Sequence, residues 1–176
     1  MAYQIITDLP VIAKRSEAVD DDNWRFRRFL KGCDSERLDR TVHRITDDVW
    51  SQIDCTKCAN CCKVLETVVT EEDCARLAKR LGMTAEEFER EYVREELSDD
   101  GERMLKSMPC VFLGDDNRCT VYEDRPECCR DYPFLYKDDF TFRTVGMISR
   151  LDNCPIVFNV WELLKLHFRW RSRTYR

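Results

Sequence analysis

The chain reads as an α+β domain organised around a cysteine-bound metal centre. Three observations predict it. Apolar residues recur at helical spacing in several segments, short β-branched or turn-bounded runs lie between them, and four cysteines fall within eight residues at Cys55-Thr-Lys-Cys58-Ala-Asn-Cys61-Cys62. The length of 176 residues suits one domain and an ordinary apolar core, so metal is not required by small size alone.

Taken in order, residues 1–54 are expected to form an arm and a helix. The first 23 residues, ending in Asp20-Asp21-Asp22-Asn23, read as extended or partly ordered. Trp24 to Leu30 mixes aromatic and basic residues and is expected to dock an apolar side on the core rather than bind nucleic acid. From about 35 to 53, Leu38, Val42, Ile45, Val49 and Ile53 form one helical stripe. His43 beside it reads as a packing or surface residue rather than a ligand. This helix runs directly into Cys55.

Residues 55–160 are expected to form the metal-binding domain, with a helical insertion at about 70–100. Val64 to Val69 is β-branched and predicts a strand. Thr70 with Asp73 and Thr84 with Glu87 read as capping boxes, with Gly82 ending the first helix. Cys74, Leu77, Ala78 and Leu81 share one helical face, which makes Cys74 a core residue; Phe88, Tyr92 and Leu97 are expected to be the buried side of the next helix. The acidic run from about 86 to 102 reads as a solvated face. Pro109 to Tyr122 predicts a hairpin around Gly114-Asp-Asp-Asn117, and Phe140 to Val145 another strand. Residues 161–176 are expected to form a basic helix. Trp161, Leu164 and Phe168 would anchor it, and Lys165, Arg169, Arg171 and Arg173 would be solvated.

Eleven cysteines, an odd number with the adjacent pairs Cys61-Cys62 and Cys128-Cys129, fit a disulfide framework poorly. The start of the chain lacks a basic, then apolar, secretory pattern, and no apolar run approaches a membrane span. A cytoplasmic, reducing setting is therefore expected, in which thiols stay available for metal. A net charge of −5 gives no general attraction to nucleic acid or anionic membrane. A C-x2-C turn lets two sulfurs converge on one metal while backbone N–H groups point at the thiolates. Cys110, Cys119, Cys128, Cys129 and Cys154 lie far downstream, so the fold must gather them.

These blocks, C-T-K-C-A-N-C-C at 55–62, P-C-V-F-L at 109–113, R-C-T-V-Y-E-D-R-P-E-C-C-R-D-Y-P at 118–133 and C-P at 154–155, resemble the CxxCxxCC family of zinc- or iron-chelating cysteine-cluster proteins, also called the YkgJ type. The resemblance implies eight metal ligands: Cys55, Cys58, Cys61, Cys62, Cys110, Cys119, Cys129 and Cys154. Cys128 is then an extra neighbour, and Cys33 and Cys74 lie outside the blocks. Ala59 stands where family members often have glycine. Eight thiolates match two four-cysteine zinc sites or two four-iron clusters. The ferredoxin-like triple with a remote C-P favours iron–sulfur, assigning Cys55, Cys58, Cys61 and Cys154 to one cluster and Cys62, Cys110, Cys119 and Cys129 to another. Arg125 and Arg130 either offset the charge of such a cofactor or simply shape the turn at Pro126.

No phosphate loop, G-x-S-x-G, H-E-x-x-H or dinucleotide fingerprint is present. The leading expectation is an iron–sulfur protein of redox, electron-transfer or cluster-handling role with a redox or protein partner. The alternatives are a structural-zinc module that meets a partner, and an enzyme, since the family includes flagellin lysine N-methylase. Against the enzyme, the chain shows no S-adenosylmethionine loop and no C-x3-C-x2-C spacing.

Overall fold

In the computed structural model, which describes residues 3–171, the protein is helical, and the α+β expectation is overturned. Among the described residues there is no strand or sheet, only isolated bridges joining Val68 to Met104, Val93 to Leu105 and Leu113 to Cys119. The chain divides into two compact units, one of residues 3–54 with 133–171 and one of Cys55–Tyr132.

In the first unit, α1 (Leu9–Ala18), α2 (Asp20–Leu30), α3 (Ser35–Trp50), α9 (Phe140–Ile148) and α10 (Pro155–His167) pack on one another. The expected extended arm holds only for the first few described residues. Asp8 caps α1 by accepting from Val11 N (2.9 Å), and the three aspartates opening α2 suit the positive end of its dipole. Phe26 and Leu30 are buried, as is the expected stripe Leu38, Val42, Ile45, Val49 and Ile53. His43 sits 5.8 Å from the Tyr136 ring, a packing position.

The segment expected as a strand at Phe140 to Val145 is instead α9. Its β-branched and aromatic composition loses to two tertiary effects. Phe140, Thr144 and Met147 are buried at helical spacing, and the Asp39 carboxylate accepts from Asp139 N (2.8 Å) and Phe140 N (2.9 Å) at the helix start. The last helix begins earlier and ends earlier than expected. Cys154 precedes it and Pro155 occupies its first turn, where a missing N–H costs nothing. Trp161 and Leu164 are buried, and Phe168 packs edge-on against Phe29. Lys165 corrects the expected solvated face. It is only 8% exposed, and its Nζ donates to Asn23 Oδ1 (2.6 Å) and Glu162 Oε1 (2.7 Å). Arg169 and Arg171 are exposed; Arg173 and Arg176 lie outside the described residues.

In the second unit, α4 (Cys55–Cys58) and α5 (Asn60–Val64) lead to the helical pair α6 (Glu71–Leu81) and α7 (Ala85–Tyr92). Both capping boxes form, and Gly82 closes α6 at φ +73°. Residues 65–69 are extended but make a single bridge instead of a strand. Val69 N donates to Arg103 O and Leu105 N to Thr67 O, both at 2.9 Å. Similarly, the expected hairpin at 109–122 is reduced to the bridge of Leu113 with Cys119, flanked by Gly114 N to Arg118 O (2.8 Å) and Thr120 N to Phe112 O (2.9 Å). A short 3-10 turn (Tyr122–Asp124) and α8 (Glu127–Asp131) complete the unit. Its core is Val69, Cys74, Leu77, Ala78, Phe88, Val93, Leu105, Phe112 and Val121. Cys74 is a core residue as expected, whereas Leu97, expected to be buried, is 57% exposed. The helical pair supplies Cys74, Leu77, Ala78 and Phe88 to this core, and Cys110 and Cys119 pack against it.

Candidate metal centre

Cys55 and Cys58 lie one helical turn apart on α4, the first exposed and the second half-buried. Ala59 then turns the chain in the left-handed region at φ +48°, and Cys61 and Cys62 open α5 with their sulfurs 3.9 Å apart. Cys62 O accepts from Cys110 N at 2.8 Å, which ties the second block to the first. The bridge of Leu113 with Cys119 brings the third block to the second. Within that third block Cys128 and Cys129 have sulfurs 3.8 Å apart, and the Cys128 thiol lies 3.1 Å from Val68 O as a donor.

Electrostatics shows which thiols share a neighbourhood. Burial pushes the Cys110 thiol up, and the charges of Cys62, Cys129 and Cys119 add to it. Burial likewise raises Cys119, again with Cys62 and Cys129 contributing. Cys62 is raised first by its hydrogen bond with Cys61 and then by burial. For Cys129 the leading cause is its hydrogen bond with Cys128, followed by burial and the charges of Cys128 and Cys62. The partner Cys128 is lowered by the same hydrogen bond, since a thiol donor at Cys129 stabilises its thiolate.

Cys62, Cys110, Cys119 and Cys129, half-buried thiols from three separate blocks, are thus near enough to feel one another's charge. Among the described residues, no three His, Cys, Asp or Glu side chains stand close enough to form a ready metal cage. The donor set nonetheless fits a soft cation. Its like-charge and desolvation penalties are those that a bound cation removes. The backbone N–H groups of Phe112 and Val121 offset part of the rise that burial causes, favouring the thiolates of Cys110 and Cys119 respectively. The Arg125 guanidinium also favours ionised Cys62, Cys119 and Cys129. It stacks 3.9 Å over the Tyr122 ring, and its buried Nε has no hydrogen-bond partner.

Arg130 is placed differently. It donates to Arg125 O (3.0 Å) and Glu123 O (3.2 Å), so its visible work is to shape the turn. Cys154 belongs to the first unit, where it is buried ahead of α10, and Cys33 is in the same unit with its thiol 3.6 Å from Phe29 O. None of the eleven cysteines forms a disulfide. Sequence reasoning passed over Asp73 and Arg76 on α6. Asp73 accepts from Glu127 N (3.2 Å) and pairs with Arg76, which donates to Asp124 O (3.2 Å) and Arg125 O (3.0 Å). The signal was hidden because the capping box already explained Asp73.

A family model for CxxCxxCC, described as "Putative zinc- or iron-chelating domain", matches residues 54–153, more than half of the chain. The protein belongs to the CxxCxxCC family. The match covers seven of the eight cysteines that the blocks implied and stops one residue before Cys154. Comparison with curated proteins and with solved structures returned no match. As a CxxCxxCC protein the chain binds metal of the zinc or iron kind. No helix among its described residues is long and apolar enough to cross a membrane.

Proposed function

We propose that this CxxCxxCC protein is an iron–sulfur protein with a redox, electron-transfer or cluster-handling role. One centre is held by Cys62, Cys110, Cys119 and Cys129. The observation that carries the reading is the joining of three cysteine blocks, by Cys110 N donating to Cys62 O (2.8 Å) and by the bridge of Leu113 with Cys119, so that the four half-buried thiols feel one another's charge. Cys55, Cys58 and Cys61 supply the C-x2-C-x2-C triple of a ferredoxin-like second set. An iron–sulfur cluster, when bound, supplies a one-electron couple whose potential depends on N–H···S bonds, nearby charge and exposure. The chain's own residues contribute those tuning elements. Arg125 offsets thiolate charge, the Phe112 and Val121 amides stabilise bound sulfur, and the apolar core of the unit packs against Cys110 and Cys119. A reducing compartment such as the cytoplasm preserves the thiols, and the exposed side of α4 leaves room for a protein partner that takes or gives electrons or cluster.

The test is iron, zinc and acid-labile sulfide per chain in protein prepared without exposure to air and with ample iron. Brown protein whose sulfide matches its iron supports the proposal. Stoichiometric zinc without sulfide overturns it in favour of a structural-zinc module.

A further inference from the structure

We infer that Asp73 and Arg76 are positioning residues of the metal centre, setting the turn that carries Arg125 and Cys129. The inference rests on the metal-binding reading above and adds residues from α6, outside every cysteine block. Asp73 is 2% exposed, so its carboxylate is almost wholly desolvated and must be compensated. As a helix cap it needs only Thr70 N, at 3.1 Å. It does more. Its two oxygens accept from Glu127 N at 3.2 and 3.3 Å, and it pairs with Arg76. The guanidinium of Arg76 then spans two successive carbonyls of the same turn, Asp124 O and Arg125 O. Arg130 holds Arg125 O and Glu123 O as well.

Both polar groups of the turn preceding Cys129 are thus fixed from α6, carbonyls by Arg76 and an amide by Asp73. That holds the Arg125 backbone while its side chain rests 3.9 Å over the Tyr122 ring, and it fixes the start of the short helix that carries Cys129. A planar, forked guanidinium suits the two-carbonyl grip, which an ammonium does not reproduce. Groups that orient ligands without touching the metal commonly alter its affinity strongly.

The test titrates the full chain anaerobically with Co2+, reading sulfur-to-cobalt charge-transfer absorption and affinity by chelator competition. Asp73→Asn keeps a competent cap but loses the charge that holds Arg76, and Arg76→Lys keeps the charge but loses the fork. Both are expected to weaken Co2+ binding by about 10–100-fold with helical circular dichroism retained. Thr84→Ala breaks the matching capping box of α7, a helix with no bond to the turn, and is expected to leave affinity unchanged. Wild-type affinity in both variants, or a loss no greater than that of Thr84→Ala, overturns the inference. If Asp73→Asn loses helicity, Arg76→Lys decides. Absence of thiolate–cobalt absorption in the wild type would sink the metal-binding reading itself, and this inference with it.

Discussion

At Ala59 the backbone occupies the left-handed region, φ +48°, between the helices that carry Cys58 and Cys61. A side chain there costs about 1 kcal/mol relative to glycine. The Ala59 methyl is also buried, and removing it forfeits about 0.8 kcal/mol. The two nearly cancel, so Ala59→Gly should change stability by less than about 1 kcal/mol in urea denaturation. Ala59→Val, β-branched at the same φ, should lose about 1–3 kcal/mol. Cysteines separate just as clearly. Cys74 has no exposed surface and sits in the core of the second unit, so Cys74→Ala should lower stability with metal per chain unchanged. Cys129→Ala should lower metal per chain in the same assay, because it removes one of the four grouped thiolates.

Among the elements, α7 and α9 show what decides a helix here. Phe88 has no exposed surface, whereas Leu97, nine residues on, is beyond the end of α7 and open to solvent. Phe88→Ala should cost about 3–5 kcal/mol and Leu97→Ala no more than about 0.5 kcal/mol, measured by urea unfolding. The start of α9 depends on Asp39, whose carboxylate accepts two backbone N–H groups from another helix's side of the core. Asp39→Ala leaves both unpaired, at about 1–3 kcal/mol each where buried. Faster hydrogen exchange over 140–148 is the expected sign, and unchanged exchange there would show that packing alone holds α9.

For the whole molecule, metal and folding should be coupled unit by unit. Three cysteine blocks of the proposed centre lie in Cys55–Tyr132, and structural metal sites can contribute on the order of 10 kcal/mol. Chelation should therefore raise hydrogen exchange across α4, α5 and α8 and the turn before α8. The helices α1, α2 and α3, which contain no implied ligand, should keep their protection. Exchange in the first turn of α10 reports on Cys154. Faster exchange after chelation is expected if Cys154 is a ligand, and no change would remove it from the set.

Much was legible in the sequence because its causes are local. Thr70 with Asp73, Thr84 with Glu87, and Gly82 fix α6 and α7 through bonds three or four residues long, and the stripe from Leu38 to Val49 declares α3 by its period alone. The cysteine spacing likewise announced a metal protein, and the family match bears that out. Where a β-branched run or a turn signal suggested strands, at 64–69, 109–122 and 140–145, the outcome hung on pairing that local sequence does not fix. A strand exists only if another extends beside it. Here Met104 and Leu105 offer one bridge on each side, and Asp39 supplies a cap that turns Phe140 onward into helix. The same reason governs the site. Spacing and resemblance could set Cys62, Cys110, Cys119 and Cys129 together, but only tertiary structure shows the bonds that join their blocks and the ties from Asp73 and Arg76 on α6 to the turn at Arg125, because hydrogen bonding and burial act through space rather than along the chain.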